Sequence, residues 1–120
     1  MNQKVTWLTY DFDVYLKEGN WNDVGGIYIF VGTNPMNLLL FPIYVGKAES
    51  FKVRLPNHDR WAEAVRFGAT HVHAMVVPQE ANRQLIEAEL IQCFQPPLNV
   101  QLKTGLPGLG AVGLPGLSRK

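Results

Sequence analysis

The sequence has a single cysteine, Cys93, so it lacks the means to form an internal disulfide. It also lacks an apolar run long enough to span a bilayer, and its first residues lack the apolar stretch of a secretory signal. These absences argue against a disulfide scaffold and against a helical membrane protein. We expect a cytoplasmic protein with no membrane partner.

The chain also lacks an excess of positive or negative charge. The chain has 11 Lys and Arg residues against 10 Asp and Glu residues, which gives a formal net charge of +1. Many nucleic-acid binders are clearly basic, so this balance does not favour tight, stand-alone DNA binding. Five basic residues nevertheless lie between positions 47 and 66. That segment predicts either a small positive patch or a solvated helix of mixed charge.

Several common catalytic signatures are missing from the sequence. It contains no Gly-rich phosphate loop, no Gly-x-Ser-x-Gly elbow and no Cys–His pair at a suggestive spacing. Any chemistry must therefore come from other side chains.

The pattern of residues divides the 120-residue chain into three parts. Residues 1–24 predict an N-terminal extension with a short helix, which Asp11 begins and Gly19 ends. Residues 25–103 carry strand and helix signals and, with the chain 47% hydrophobic, can form a packed domain. Residues 104–120 contain Gly-Leu-Pro-Gly twice and predict a flexible tail.

Within the middle part, β-branched and aromatic runs predict strands, and helical periodicity predicts helices. The expected strands are 26–31, 41–45 and 71–77. The expected helical segments are 48–67, broken at Pro56, and 79–94. The first two strands are apolar on both faces, so we expect the sheet to be covered on both sides.

Two tyrosines stand in neighbouring strand signals. Tyr28 closes the tripeptide Gly26-Ile27-Tyr28, and Tyr44 opens the tripeptide Tyr44-Val45-Gly46. Side chains alternate along a strand, so both phenols project to one side if the two strands pair with their aliphatic residues on the other. The alternative is that they are two β-favouring aromatic residues in a small core.

An acidic residue falls on the apolar stripe of the last helix. At about 100° per residue, Glu87 lies within that stripe and Glu89 lies outside it. A carboxylate facing a core costs free energy unless it is paired, protonated or bound to a metal. Arg83, one turn earlier, could pair with Glu87, so a salt bridge and a metal or catalytic role both stay open.

Arg54 and His58 are four residues apart in a helical signal and can share a face, although Pro56 lies between them. His58 is either a proton carrier near neutral pH or a cap residue facing water.

Taken in order, these residues resemble the GIY-YIG nuclease family. The resemblance runs through Gly26-Ile27-Tyr28, Tyr44-Val45-Gly46-Lys47-Ala48, Arg54 with His58, Ile86-Glu87, and Gln95-Pro96-Pro97-Leu98-Asn99. Either tripeptide alone is a weak signal. The full series, with its ending after the acidic helix, is specific.

The resemblance implies an α+β fold, with a small three-stranded, mainly antiparallel sheet flanked by helices. It implies a metal-dependent endonuclease that hydrolyses phosphodiester bonds of nucleic acid, with DNA favoured over RNA. Glu87 would hold one divalent cation, Mg²⁺ or Mn²⁺. Arg54 would stabilise charge on the phosphoryl oxygens, and Tyr28 or Tyr44 would relay the proton of the attacking water.

The resemblance also implies supporting roles. His58 joins the catalytic residues. Structural support falls to Gly26, Gly46 and Asn99. From the basic segment 47–66 we expect Lys47, Lys52 and Arg60 to bind substrate.

Two departures from the family bear on substrate choice. The loop from Gly32 to Leu40 is longer than in compact members, and it would either shape substrate entry or cover the sheet. No second domain is evident, so we expect a targeting protein partner or a homodimer. The alternative function is a weak or inactive GIY-YIG-fold module that binds nucleic acid or protein.

Overall fold

The computed structural model describes residues 3–99. Its strands are β1 (Lys4–Trp7), β2 (Tyr10–Tyr15), β3 (Gly26–Thr33), β4 (Leu40–Ala48) and β5 (Ala69–Val76). Its helices are α1 (Phe51–Arg54), α2 (Trp61–Arg66) and α3 (Glu80–Phe94). The α+β class matches the expectation, as do the approximate positions of the strands and helices from β3 onward.

The strands form one five-stranded antiparallel sheet in the order β1-β2-β5-β3-β4. The predicted three-stranded sheet is therefore wrong. The additional strands are β1 and β2, which form a hairpin, and β2 pairs with β5 through Asp13, Val14 and Tyr15. The sheet gains two strands because the N-terminal segment supplies apolar residues that this pairing buries.

The prediction of a short N-terminal helix is also wrong, because this segment forms strand β2. Along β2 the side chains alternate, with Phe12 fully buried and Asp11 exposed. Asp11 accepts a hydrogen bond from the hydroxyl of Thr6 on β1 at 2.6 Å, so it links two strands rather than capping a helix. Trp7 docks the hairpin, because its indole N–H donates to Nδ1 of buried His73 at 2.9 Å.

Both faces of the sheet are covered, as the apolar strands predicted. One cluster packs beneath α1 and α2 and includes Tyr28, Phe30 and Leu55. The other packs against α3 and includes Ile27 and Ile29, together with Phe12, Val45 and Leu90. Successive residues of β3 therefore serve opposite layers.

The two short helices are separated by the turn that holds Pro56. Helix α1 begins after Ser50, whose hydroxyl accepts from the backbone N–H of Val53 at 3.3 Å. Helix α3 ends at Gln95, which adopts a left-handed backbone with φ of 48° before two prolines. Residues 97–99 are again helical, which returns the chain to β4.

The loop between β3 and β4 projects its apolar side chains into solvent. Met36 is 91% exposed and Leu38 is 77% exposed. Asn34 and Asn37 stabilise the loop by accepting from the backbone N–H groups of Met36 and Leu39. The idea that this loop covers the sheet is therefore wrong.

The predicted tail, residues 104–120, lies outside the described residues, and the division of the chain at residue 104 stays a prediction. Within residues 3–99, no helix has the length and apolar character needed to cross a membrane.

Candidate active site

The two tyrosines lie side by side on one face of the sheet. Tyr28 on β3 is opposite Gly46 on β4, and Tyr44 is opposite Phe30. The ring centroids of the two tyrosines are 6.3 Å apart. Tyr28 is 1% exposed, whereas Tyr44 is half-buried. The strand register thus delivers both phenols to one place, with Tyr44 closer to solvent.

Two glycines make room for this arrangement. A β-carbon at Gly46 would lie 2.4 Å from the hydroxyl oxygen of Tyr28, so the phenol occupies the space that a side chain would need. A β-carbon at Gly26 would lie 2.0 Å from the carbonyl oxygen of Met75 and 2.7 Å from the ring of Phe51. Gly26 therefore allows β5 and α1 to approach the start of β3.

His58 contacts Tyr28 directly. Its Nε2 lies 2.6 Å from the hydroxyl oxygen of Tyr28, and its Nδ1 accepts the backbone N–H of Arg60 at 3.0 Å. Because Nδ1 is an acceptor, it carries no proton, and the neutral ring must carry its proton on Nε2. Nε2 therefore donates to the Tyr28 hydroxyl oxygen, which leaves the O–H of Tyr28 free to donate elsewhere.

The environment of His58 keeps the imidazole neutral. Burial is the main cause, and the charge of Arg54 adds to it, so that the pKa of His58 is lowered to about 4. At neutral pH the ring is a fixed hydrogen-bond donor and not a reservoir of positive charge. Neither sequence alternative for His58 is confirmed. The side chain is buried rather than facing water, and its lowered pKa keeps it from carrying a proton near neutral pH.

Arg54 is the last residue of α1 and reaches the tyrosines from that end. Its Nη2 lies 3.0 Å from Oδ1 of Asp59, which fixes the guanidinium beside the turn. Burial raises the pKa of both Tyr28 and Tyr44, and the Arg54 charge opposes that rise in each case. Arg54 is thus the cation that most directly favours a charged phenol here.

Glu87 enters the same neighbourhood from α3. Its charge raises the pKa of both tyrosines, which places it within electrostatic range of them. Burial raises the pKa of Glu87 itself, and the charge of Lys47 acts in the opposite direction. Within residues 3–99 no side chain forms an ion pair with Glu87.

The salt bridge between Arg83 and Glu87 that the sequence left open is wrong. Arg83 pairs with Glu80, with Nη2 3.1 Å from Oε1. Its Nη1 also donates to the carbonyl oxygens of Val77 at 2.9 Å and Pro78 at 3.0 Å. These carbonyls hold the guanidinium at the start of α3, one turn from Glu87.

The three basic residues assigned to substrate lie in different settings. Lys47 forms an ion pair with Glu80. Lys52 is exposed on α1 and forms no ion pair in the described part of the chain. Arg60 contacts Glu63 through Nη1 at 2.9 Å, while its Nε is buried without a hydrogen-bond partner among residues 3–99. Of the three, Arg60 alone has a buried donor without a partner in the described part of the chain.

Asn99 fixes the strand that carries Tyr44. Its Oδ1 accepts the backbone N–H of Val45 at 2.8 Å, and its Nδ2 donates to the carbonyl oxygen of Val45 at 3.0 Å. One amide therefore satisfies both polar groups of the residue between Tyr44 and Gly46. The end of the α3 segment is thereby tied to the site.

Solved structures match part of this fold. The N-terminal GIY-YIG endonuclease domain of UvrC from Thermotoga maritima, bound to its catalytic divalent cation, magnesium, is 28% identical to this chain. The match has a TM-score of 0.51 and covers 63% of this chain and 83% of that one. A point mutant of the domain, also bound to its catalytic divalent cation, matches with a TM-score of 0.51 and 27% identity, covering 63% and 82%.

The chain belongs to the GIY-YIG family. Among curated proteins, UvrABC system protein C of Wolbachia sp. subsp. Brugia malayi is 34% identical over 86 residues, which is 67% of this chain. The protein of the same name from Anaplasma marginale is 31% identical over 87 residues, which is 68% of this chain. The match spans only 13% of the length of each relative. No protein-family model matches the chain.

Two further residues of the candidate site were not predicted from the sequence. Asp59 orients Arg54, and Glu80 binds both Lys47 and Arg83. The signal for Asp59 was weak, because a carboxylate five residues from Arg54 pairs with it only through the turn at Pro56. Glu80 stood three residues before Arg83 on a helix, which is an ordinary pairing distance.

Proposed function

We propose that the chain is a metal-dependent endonuclease that hydrolyses phosphodiester bonds, with DNA as substrate. The observation that carries the proposal is Glu87, a half-buried carboxylate with no ion-pair partner among residues 3–99, in electrostatic range of Tyr28, Tyr44 and Lys47. Such a group requires compensation, and a divalent cation supplies it. Further support comes from the similar UvrC domain, described as an endonuclease bound to magnesium.

The donor set fits a cation that keeps most of its water. Within residues 3–99, no three His, Cys, Asp or Glu side chains converge as a metal cage. Magnesium is commonly held by one or two carboxylates, by substrate phosphate and by several waters, and Glu87 fits the role of that carboxylate. When bound, the cation would lower the pKa of its water and offset charge on the phosphate.

Arg54 and Arg60 are the groups that suit the phosphate. Asp59 orients the Arg54 guanidinium, which already acts on both phenols. Glu63 holds the Arg60 guanidinium through Nη1, and the charge of Arg60 also lowers the pKa of Tyr44. Guanidinium groups bind phosphoryl oxygens through paired N–H donors, which favours the charge distribution of the transition state.

Tyr28 is the phenol best placed to carry a proton. Its hydroxyl oxygen accepts from Nε2 of His58, and this hydrogen bond stabilises the oxygen when the phenol loses its proton. Burial raises the pKa of Tyr28, so the phenol is protonated at neutral pH, and a cation bound nearby would favour its ionisation. Tyr44, which is half-buried, is the phenol closer to solvent and suits a contact with the substrate.

The test is nicking of supercoiled plasmid DNA in the presence of Mg²⁺ or Mn²⁺. Glu87→Gln and Arg54→Ala should each lower the nicking rate by about a hundredfold, as is typical for loss of one group that stabilises transition-state charge. Glu89→Gln is the matched control, because Glu89 is on the same helix but is exposed and binds Tyr10. Its rate should stay at the wild-type level.

Two results would decide against the enzyme. Nicking that survives both Glu87→Gln and Arg54→Ala refutes the site. DNA binding without any nicking, at every cation concentration, supports a binding module with the same fold. The targeting partner and the homodimer expected from the sequence stay predictions.

A further inference from the structure

Helix α3 carries two carboxylates on one face, and the nearby hydrogen-bond donors bind only one of them. Glu80 and Glu87 are two turns apart, with Arg83 between them. Lys47 and Gln84 donate to Oε2 of Glu80, the latter at 3.0 Å, and Arg83 donates to Oε1 at 3.1 Å. Among the described residues, none of these donors forms a hydrogen bond or an ion pair with Glu87.

The two carboxylates also differ in how well their charge is stabilised. Lys47 and then Gln84 lower the pKa of Glu80 to about 2. Glu87, by contrast, is half-buried and forms no ion pair within residues 3–99. Glu80 therefore holds its charge firmly, whereas Glu87 lacks a compensating contact.

Of the two basic residues, only Lys47 is free to change partner. Arg83 is buried and bound to the carbonyls of Val77 and Pro78, so it cannot turn towards Glu87 without losing both. Lys47 has a flexible side chain, is partly exposed and already acts on Glu87 through its charge. The position of the Lys47 ammonium group therefore decides whether Glu87 stays without an ion-pair partner.

We propose that Glu80 is a positioning residue that holds Lys47 and thereby keeps Glu87 open for a divalent cation. This inference rests on the proposed function, because it assigns Glu87 to the cation. Without the charge of Glu80, Glu87 becomes the carboxylate on α3 that attracts the ammonium group. A cation would then have to displace an ion pair before it could bind.

The test compares Glu80→Gln with wild type in two measurements. Titration calorimetry with Mn²⁺ alone should show affinity about fivefold weaker in Glu80→Gln, the scale of a partly exposed ion pair. Cation-free crystals of the same variant should place Nζ of Lys47 within about 4 Å of a Glu87 oxygen. Glu89→Gln removes the same charge elsewhere on α3, and its affinity should stay within about twofold of wild type because of screening.

A second background separates the positioning role from a general loss of negative charge. In Lys47→Met protein no ammonium group can reach Glu87, so adding Glu80→Gln should leave Mn²⁺ affinity nearly unchanged. A fivefold loss that persists in that background overturns the inference. So does equal weakening by Glu80→Gln and Glu89→Gln.

The calorimetry and the crystals also keep the two proposals apart. Wild-type protein that binds no Mn²⁺ refutes the cation assignment at Glu87. The cation-free Glu80→Gln crystals still test the positioning role of Glu80. A Lys47 ammonium group beside Glu87 supports that role, and one that stays away from Glu87 overturns it.

Discussion

Gly46 and Tyr28 face each other across β4 and β3, and the phenol of Tyr28 fills the space above Gly46. The distance of 2.4 Å from a β-carbon at Gly46 to the Tyr28 hydroxyl oxygen is far below van der Waals contact. The glycine of the second motif is therefore required by the tyrosine of the first. The two motifs are one steric unit, although 17 residues lie between Tyr28 and Gly46 and the loop between the two strands is long.

Gly46→Ala should displace the ring of Tyr28 and lower the free energy of unfolding by about 1–3 kcal/mol, the range for an overpacked core. Urea denaturation measures this loss. Tyr28→Leu provides the control background, because a smaller side chain leaves room for the methyl group. If Gly46→Ala costs as much with Leu at position 28 as with Tyr, the steric explanation is wrong.

Asn99→Ala should lower the free energy of unfolding by about 2–4 kcal/mol, because it leaves the buried N–H and C=O of Val45 unpaired. Asn99→Asp should be destabilised at pH 7, where its carboxylate faces the Val45 carbonyl, and should recover relative to wild type as acid protonates it. Asn37→Ala is the matched control, since Asn37 accepts one hydrogen bond in an exposed loop. A loss for Asn99→Ala no larger than for Asn37→Ala would contradict the role of the clamp.

Phe12→Ala should cost about 3–5 kcal/mol, the usual cost of removing a fully buried phenyl ring. The expectation follows from the place of β2 between β1 and β5, where Phe12 joins the cluster beneath α3. Leu16→Ala, at a position that is 60% exposed, should stay within about 0.5 kcal/mol of wild type. Similar stability of the two variants would mean that the N-terminal hairpin does not belong to the core.

Stability should fall as pH drops from about 6.5 to about 4. Burial lowers the pKa of His58 to about 4 and that of His73 to about 4, while unfolded histidine titrates near 6.5. Across this window the unfolded state binds more protons, so acid favours unfolding, by up to about 1.4 kcal/mol per pH unit for each histidine. Urea titrations at several pH values measure the slope, which should be reduced in His58→Gln and in His73→Gln. An unchanged slope in both variants would show that these two histidines do not cause the loss of stability in acid.

The strands and helix of the central part could be predicted because their signals are local. The apolar runs of β3 and β4 and the periodicity of α3 coincide with the elements. Glu87 stood out because a charge on an apolar stripe is visible in the sequence alone. Its pairing was not visible, since Arg83 lies within one turn of both Glu80 and Glu87. Only the carbonyls of Val77 and Pro78, which hold the guanidinium, decide between them.

The N-terminal hairpin was missed because its turn lacks the usual residues. Leu8 and Thr9 connect β1 to β2, and Leu8 has a φ of 57°, where glycine or asparagine is the ordinary choice. Asp11 and Gly19 meanwhile suggested helix ends. The alternation of Tyr10, Phe12 and Val14 was the available strand signal, and it identifies its buried face only once β5 is known as a partner.

Among residues 3–99, strand β4 lies at one edge of the sheet, where peptide groups can pair with a strand of another molecule. Three features close that edge: Pro42 lacks an N–H, Lys47 carries a charge, and Asn99 occupies both groups of Val45. We therefore expect the Asn99 amide to disfavour pairing of this edge with a second molecule. Removing the amide would leave the peptide groups of Val45 able to pair with a strand of a second molecule. Light scattering of concentrated Asn99→Ala protein should therefore rise at temperatures well below its unfolding transition.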